Sequence, residues 1–287
     1  MVVALVALAL ITQSQAHELI TNPRGTRQQA TQTPATHQLA FEDVTVTTRD
    51  GLRLVGWYVR GQNGATVMLQ HGYKDHRGLL LNLAALLSRH GYGVLMQTVR
   101  AHDRSDGETI TFGHLEMQDL TAWMDYLRSR YDLDPDRIGI FGASMGGSLA
   151  IQFAAQSPHI KAIVADCAYS SLRDTMNTSV EFFTGLPPFP FAPMILFWAE
   201  REGGFRASAI DASRWIPRIS PRPILLLQGG ADVVISPDSG RRLFDAAGDP
   251  KELWFDPALG HVEFLAKQPE EFERRVGAFF DRYLLGK

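Results

Sequence analysis

The stretch 138–155 constrains this chain more than any other. An apolar run from Ile138 to Phe141 leads into Gly142-Ala143-Ser144-Met145-Gly146, and helical sequence follows directly to Ala155. A strand that turns tightly into a helix fits architectures in which each helix packs back over the face of a sheet. The rest of the chain keeps that rhythm. Val44 to Thr48 alternates and is β-branched, Asp50-Gly51 is a hairpin turn, and Leu52 to Val59 returns as its partner. Strand-like runs follow at Thr66 to Gln70, Val94 to Met96, Ile160 to Ala165, Pro223 to Leu227 and Glu252 to Phe255. Helical sequence lies between and after them, at Gly78 to His90, Leu115 to Tyr131, Asp238 to Ala247 and Glu270 to Leu284. This alternation predicts an α/β fold, a mainly parallel eight-stranded sheet flanked by helices, with the opening hairpin as an antiparallel edge.

The rhythm breaks at about 170–218. This insertion holds Phe182, Phe183, Phe189, Phe191, Met194, Phe197 and Trp198 among four closely spaced prolines, Pro187, Pro188, Pro190 and Pro193. A structureless loop of that length is uncommon in a compact domain, so a small lid of short, proline-broken helices is expected. The other unusual stretch is the N-terminus. Met1 to Ile11 is wholly apolar, yet shorter than the ~20 residues that span a bilayer. Ser14-Gln15-Ala16 has the small-x-small form of a signal-cleavage site, but no Lys or Arg precedes the apolar run. A membrane anchor, a cleaved signal and a surface helix are the three readings. Residues 1–20 are thus expected to be an anchor or signal, 21–40 a polar linker and 41–287 the folded domain. The first segment predicts a membrane-associated or exported protein.

A net charge of −3 without a long basic run gives nucleic acid nothing to bind. The one cysteine, Cys167, excludes an intrachain disulfide and a cysteine-rich zinc site. His17-Glu18 lacks the second histidine of a zincin helix, and Gly142 to Gly147 lacks the lysine of a phosphate-binding loop. Asp103, Asp106 and Glu108 have no ordered ligand spacing and read as a solvated turn. No metal or cofactor is therefore expected. Cys167 reads as a small buried filler.

Gly142-Ala143-Ser144-Met145-Gly146 is a nucleophile-elbow pattern in its strand-to-helix context. A serine needs a base, and the base needs an orienting group. His261 follows the strand at 252–255, and Asp232 follows the strand at 223–227. Both fall at the carboxyl edge where Ser144 emerges, and the chain order is Ser, Asp, His. Asp238 and Asp256 are the nearest rivals for the acid. The backbone N–H groups of Met145 and of Tyr73, in His71-Gly72-Tyr73, are the expected oxyanion donors. Phe182, Phe189, Met194 and Trp198 are the expected substrate-binding side chains.

From about Phe41 onward these residues resemble the α/β-hydrolase superfamily. Within it, the chain looks like bacterial serine hydrolases related to the monoacylglycerol-lipase and serine-aminopeptidase group, some with an N-terminal membrane helix. The matching pieces are His71-Gly72-Tyr73, the helix from Gly78, His90 to Val94, the serine elbow, Asp166 to Ser170, Gln228 to Asp232 and Gly260-His261. Relatives usually read D-x-R-x-x-G-x-S after the fourth strand. Here Thr98 stands for the acid and Asp103 for the glycine. The expectation is a hydrolase of small-molecule carboxyl esters working through an acyl-enzyme. Amide or thioester cleavage by the same parts, or a membrane-associated lipid-binding protein without turnover, are the alternatives.

Overall fold

The computed structural model describes residues 2–287. Eight strands form one sheet: β1 (Glu42–Thr47), β2 (Arg53–Val59), β3 (Thr66–Gln70), β4 (Gly93–Gln97), β5 (Ile138–Ala143), β6 (Ile160–Asp166), β7 (Ile224–Gly229) and β8 (Lys251–Asp256). Their order is β1-β2-β4-β3-β5-β6-β7-β8. The pairs β1–β2 and β2–β4 are antiparallel, and every later pair is parallel. The mainly parallel eight-stranded sheet read from the sequence is therefore the observed architecture.

Burial explains the strand sequences. β3, β4, β5 and β7 are buried along their whole length, whereas the edge strand β8 is buried only at Trp254. A strand covered on both faces reads as a continuous apolar run, and an edge strand keeps polar positions. Within the central strands, neighbouring residues serve opposite cores. Met68, Leu95, Ile140 and Leu226 join one apolar cluster, and Leu69, Met96, Phe141 and Leu227 join the other. That is the two-residue period of a pleated strand. Helices cover the two faces. They are α2 (Leu81–Arg89), α3 (Glu116–Arg128), α4 (Met145–Gln156), α9 (Asp238–Ala246), α10 (Phe264–Lys267) and α11 (Pro269–Phe280).

The segment between β6 and β7 is helical, with α5 (Leu172–Thr184), α6 (Pro188–Gly203), α7 (Ala207–Ile210) and α8 (Ala212–Trp215). Pro187 precedes α6, and Gly185 ends α5 in the left-handed conformation. At the N-terminus, α1 (Val2–Ile20) packs along α6. Thr12, Ala16 and Ile20, four residues apart, are buried, while Val3, Leu5, Val6 and Leu10 are exposed. No single helix among the described residues is long and apolar enough to cross a membrane. The polar stretch after α1 lies against the domain. The buried Arg27 guanidinium donates to the carbonyls of Asn22 (2.7 Å), Ser105 (2.5 Å) and Gly107.

The loop after β4 is also built in, and its two departures from the common motif have structural roles. Thr98 Oγ1 donates to the Val55 carbonyl at 2.7 Å and bonds Ser105 Oγ at 2.5 Å, clamping the loop to β2. Asp103 adopts φ +49°, the left-handed conformation that would otherwise favour glycine. Its side chain is buried and pairs with Arg77 Nε at 3.1 Å; the Arg77 guanidinium stacks on Trp57. The reading of Asp103, Asp106 and Glu108 as a solvated turn is corrected here. Asp103 is internal, and Asp106 is bound by Arg24 and by the Arg53 backbone N–H.

Two buried histidines brace this loop against the one after β3. Their rings lie 4.7 Å apart. His102 Nδ1 donates to the Arg100 carbonyl at 2.7 Å, leaving Nε2 to accept the Lys74 backbone N–H at 3.0 Å. His71 Nδ1 donates to the Gly72 carbonyl at 2.8 Å. Burial pushes the His71 pKa down to about 4, and burial together with the neighbouring His71 pushes that of His102 well below its ordinary value. Both are neutral acceptors in the fold. The unfolded chain takes up these protons near pH 6.5, whereas the folded chain resists them. Their contribution is therefore complete above about pH 6.5 and is lost progressively below it, for His71 as pH falls toward about 4. Each histidine steepens that loss by up to about 1.4 kcal/mol per pH unit. Urea unfolding across this window, with His102→Gln beside the parent, should give a shallower pH slope in the variant. Parallel slopes would show that His102 is not held neutral.

Candidate active site

The turn between β5 and α4 sets the site. Ser144 has φ +56° and ψ −123°, a conformation that side-chain-bearing residues rarely adopt. Close packing holds it there. A Cβ on Gly142 would come within 2.1 Å of the Gly146 carbonyl oxygen, and one on Gly146 within 2.4 Å of that of Gln70. The two motif glycines let the elbow close against itself and against the end of β3. The Ser144 N–H donates to the Asp166 carbonyl at 2.8 Å, which ties the turn to β6. The hydroxyl stands at the N-terminus of α4, partly exposed.

Asp232 and His261 reach Ser144 from the loops after β7 and β8. The Gly230 N–H donates to the Asp256 carbonyl at 2.7 Å, and the Ala231 N–H to that of Leu259 at 2.9 Å, joining the two loops. Asp232 is buried. Its Oδ1 accepts the N–H groups of Val234 and Ile235, both at 2.8 Å. Its Oδ2 lies 2.7 Å from His261 Nδ1, and His261 Nε2 lies 2.8 Å from Ser144 Oγ. The carboxylate only accepts, so Nδ1 carries the proton and Nε2 is left to accept from the serine hydroxyl. Such a chain can take the hydroxyl proton as the oxygen attacks an electrophile. Asp238 begins α9, and Asp256 accepts from Gln268 and the Ala258 N–H; neither is the carboxylate on His261.

Of the two expected oxyanion donors, Met145 adjoins Ser144 and Tyr73 lies in the loop that approaches it. Met145 is the first residue of α4, so its N–H is one of the helix's unpaired leading donors. Across from it, Gly72 comes so close that a Cβ there would sit 3.4 Å from Ser144 Cβ. Tyr73 follows directly.

Residues given no site role by the sequence reading also meet here. The Asp75 carboxylate is packed beside Gly72, and burial raises its pKa although His76 and His261 oppose the shift. Asp166, under the elbow, is fully buried and raised by desolvation to about 7. Phe183 reaches the Tyr73 ring edge-on, with centroids 6.3 Å apart. Of the four side chains expected to bind substrate, Phe182 and Phe189 are exposed and Met194 is half-buried. Trp198 faces α1 across a cleft lined by Leu10, Ser14 and Arg201. Cys167 is buried, as its small apolar character suggested, and lies within 4.8 Å of Asp232 and His261 in a metal-like grouping. Its Sγ accepts the Val262 N–H at 3.3 Å, and burial drives the thiol pKa up. With both imidazole nitrogens engaged as well, that grouping is committed to hydrogen bonding.

Comparison with known proteins gives the family of the chain. The X-Pro dipeptidyl-peptidase family (S15 family) matches residues 13–184, and the prolyl oligopeptidase family matches residues 110–287. Both spans contain Ser144, and the second contains Asp232 and His261. An uncharacterized protein of Mycobacterium tuberculosis is 30% identical over 96% of this chain and 89% of its own. Esterase Pf2001 of Pyrococcus furiosus superposes with a TM-score of 0.77 at 27% identity, covering 92% of this chain and 98% of that one. The narrower likeness to the monoacylglycerol-lipase group stays a resemblance of motifs, since the families that match are peptidases. The chain belongs to the α/β-hydrolase superfamily, as a serine hydrolase of the group spanned by the S15 and prolyl oligopeptidase families.

Proposed function

We propose that the protein hydrolyses carboxyl esters of small molecules through an acyl-enzyme. The observation that carries this reading is the continuous hydrogen-bond chain from Ser144 through His261 to Asp232. Ser144 Oγ attacks the carbonyl carbon as its proton passes to His261 Nε2. Asp232 holds the imidazole tautomer and stabilises the imidazolium. The Tyr73 and Met145 N–H groups receive the negative charge that develops on the carbonyl oxygen. Collapse transfers the proton to the leaving alcohol. Water, deprotonated by the same histidine, then releases the acid and restores Ser144. No metal or cofactor takes part in these steps.

The likeness to an esterase supports ester substrates, and the two matching peptidase families support a second reading, amide cleavage by the same groups. A p-nitrophenyl ester assayed beside the matching p-nitroanilide separates them. A lipid carrier without turnover would not react with a fluorophosphonate. Ser144→Ala should fold normally, lose fluorophosphonate labelling and lower kcat by a factor on the order of 10³ or more. Comparable turnover in the purified variant would remove Ser144 from the mechanism.

We further propose that α5 and α6 act as a lid over the acyl chain, with Phe182, Phe189, Met194 and Trp198 as its apolar contacts. Each methylene that such a surface buries contributes roughly 0.8 kcal/mol, about fourfold in kcat/KM. Short-to-medium acyl esters should outperform acetate and very long chains in a p-nitrophenyl series. An unaltered preference in both Phe189→Ala and Trp198→Ala would exclude these contacts.

The exposed apolar face of α1 supports a place at a membrane surface or outside the cytoplasm. Burial of Ala16 and Ile20 favours a retained helix over a signal cut after Ala16. Fractionation of cells making the full-length protein should recover it outside the soluble cytosol with Val2–Ile20 still attached. Recovery wholly in the cytosol would overturn the proposal.

A further inference from the structure

A helix leaves its last four carbonyls without partners inside the helix. In α1 these are the carbonyls of His17, Glu18, Leu19 and Ile20, and the fold satisfies each one. Thr21 Oγ1 donates to His17 O at 2.6 Å, and the Ile110 N–H donates to Ile20 O at 2.7 Å. The two between them are taken by side chains of the loop after β3. Lys74 Nζ donates to Glu18 O and the Tyr73 hydroxyl to Leu19 O, both at 2.7 Å. A cation is well placed at a helix C-terminus, where the helix dipole is negative.

The same two residues are held on their other sides by the site. Lys74 sits at φ +55°, its N–H bound by His102 Nε2. The Tyr73 ring stacks on Phe112 with centroids 5.7 Å apart and an interplanar angle of 23°, and touches Phe183 of α5. Burial raises the pKa of the Tyr73 phenol and lowers that of the Lys74 ammonium. The Tyr73 bond is part-buried, and a hydroxyl there is expensive to leave unpaired; the Lys74 bond is exposed and acts through its direction and charge at the helix end. Tyr73 therefore joins three parts: the loop beside Ser144, the end of α1 and the helical insertion.

We propose that the C-terminal turn of α1 positions the oxyanion loop, with Tyr73 Oη and Lys74 Nζ as the tethers. The proposal rests on the reading of the Tyr73 N–H as an oxyanion donor. α1 is then part of the catalytic apparatus, and Tyr73 and Lys74 are positioning residues through their side chains. A donor displaced by a fraction of an ångström stabilises the developing charge less, whereas ground-state binding is little changed.

Two variants in the full chain test this. Tyr73→Phe keeps the ring and the N–H and removes only the bond to Leu19; Lys74→Met removes the bond to Glu18. Each should lower kcat for a p-nitrophenyl ester about tenfold with KM within about twofold, and the pair together about a hundredfold, as misplaced catalytic groups do. Thermal unfolding should show both variants folded at the assay temperature. Coupling is reciprocal. A phosphonate adduct on Ser144 of the parent, whose oxygen occupies the oxyanion position, should therefore slow amide exchange in the last turn of α1. In Tyr73→Phe that protection should weaken. An unchanged kcat in both variants, or exchange in α1 indifferent to the adduct, would overturn the tethering while leaving the hydrolase reading standing. Failure of the phosphonate to react with Ser144 would instead strike at the hydrolase reading itself.

Discussion

The backbone at Ser144 is the constraint on which the rest of the site depends. A φ of +56° in a residue with a side chain is unfavourable by roughly 1–3 kcal/mol, and it persists only where the surroundings over-determine it. Here they do so through contact. Gly142 lies against Gly146, Gly146 lies against the end of β3, and the Ser144 N–H is tied to β6. Three adjacent strands are thereby set relative to the elbow. The conformation that lifts the hydroxyl clear of the sheet also starts α4 beneath it. Met145 consequently presents its N–H beside the hydroxyl. The proposed nucleophile and one proposed oxyanion donor come from one local distortion.

The proposed acid and base are positioned by a different means. Asp232 is over-coordinated for a carboxylate that merely caps a loop. Two backbone N–H groups hold one oxygen, and the imidazole takes the other. Those N–H groups fix the carboxylate's orientation before the histidine is considered. Backbone bonds between the loops after β7 and β8 then align His261 with Ser144. The geometry is thus stiff at the buried end and freer at the hydroxyl, where substrate must enter.

How much of this was legible in the sequence follows from the range of the signals. The central strands were readable because burial on both faces forces continuous apolar runs, as in Met68-Leu69 and Leu225 to Leu227. The elbow was readable because its glycines are close in sequence. The meeting of Asp232 and His261 with Ser144 was readable because strand ends and chain order place all three on one edge. Pairings between distant segments carry no such periodic mark. Nothing in Thr98 or Asp103 alone says that one clamps β2 and the other pairs internally with Arg77. The solvated-turn reading failed there because an acid between polar residues resembles surface until its partner is known. The polar stretch after α1 looked like a linker for the same reason, although Arg27 spends its donors on three loop carbonyls. Phe183 was indistinguishable from its neighbours in an aromatic-rich insertion; only the position of Tyr73 sets it apart.

Those unreadable contacts share a location. Arg77–Asp103, the His71–His102 stack, the clamp at Thr98 and the bonds from Tyr73 and Lys74 all surround the loops after β3 and β4. This is the side of the site opposite His261, beyond the strand ends, where a single antiparallel bridge between Thr21 and Thr109 joins the backbone among the described residues. Apolar packing alone would restrain it poorly, since dispersion contacts are numerous but not directional. Hydrogen bonds between buried groups are directional and costly to leave unmade, so they specify one loop geometry even where they add little net stability. An oxyanion donor needs a fixed direction more than a deep energy well. A polar network behind the loop meets that need, and α1 closes it by supplying acceptors that the sheet does not.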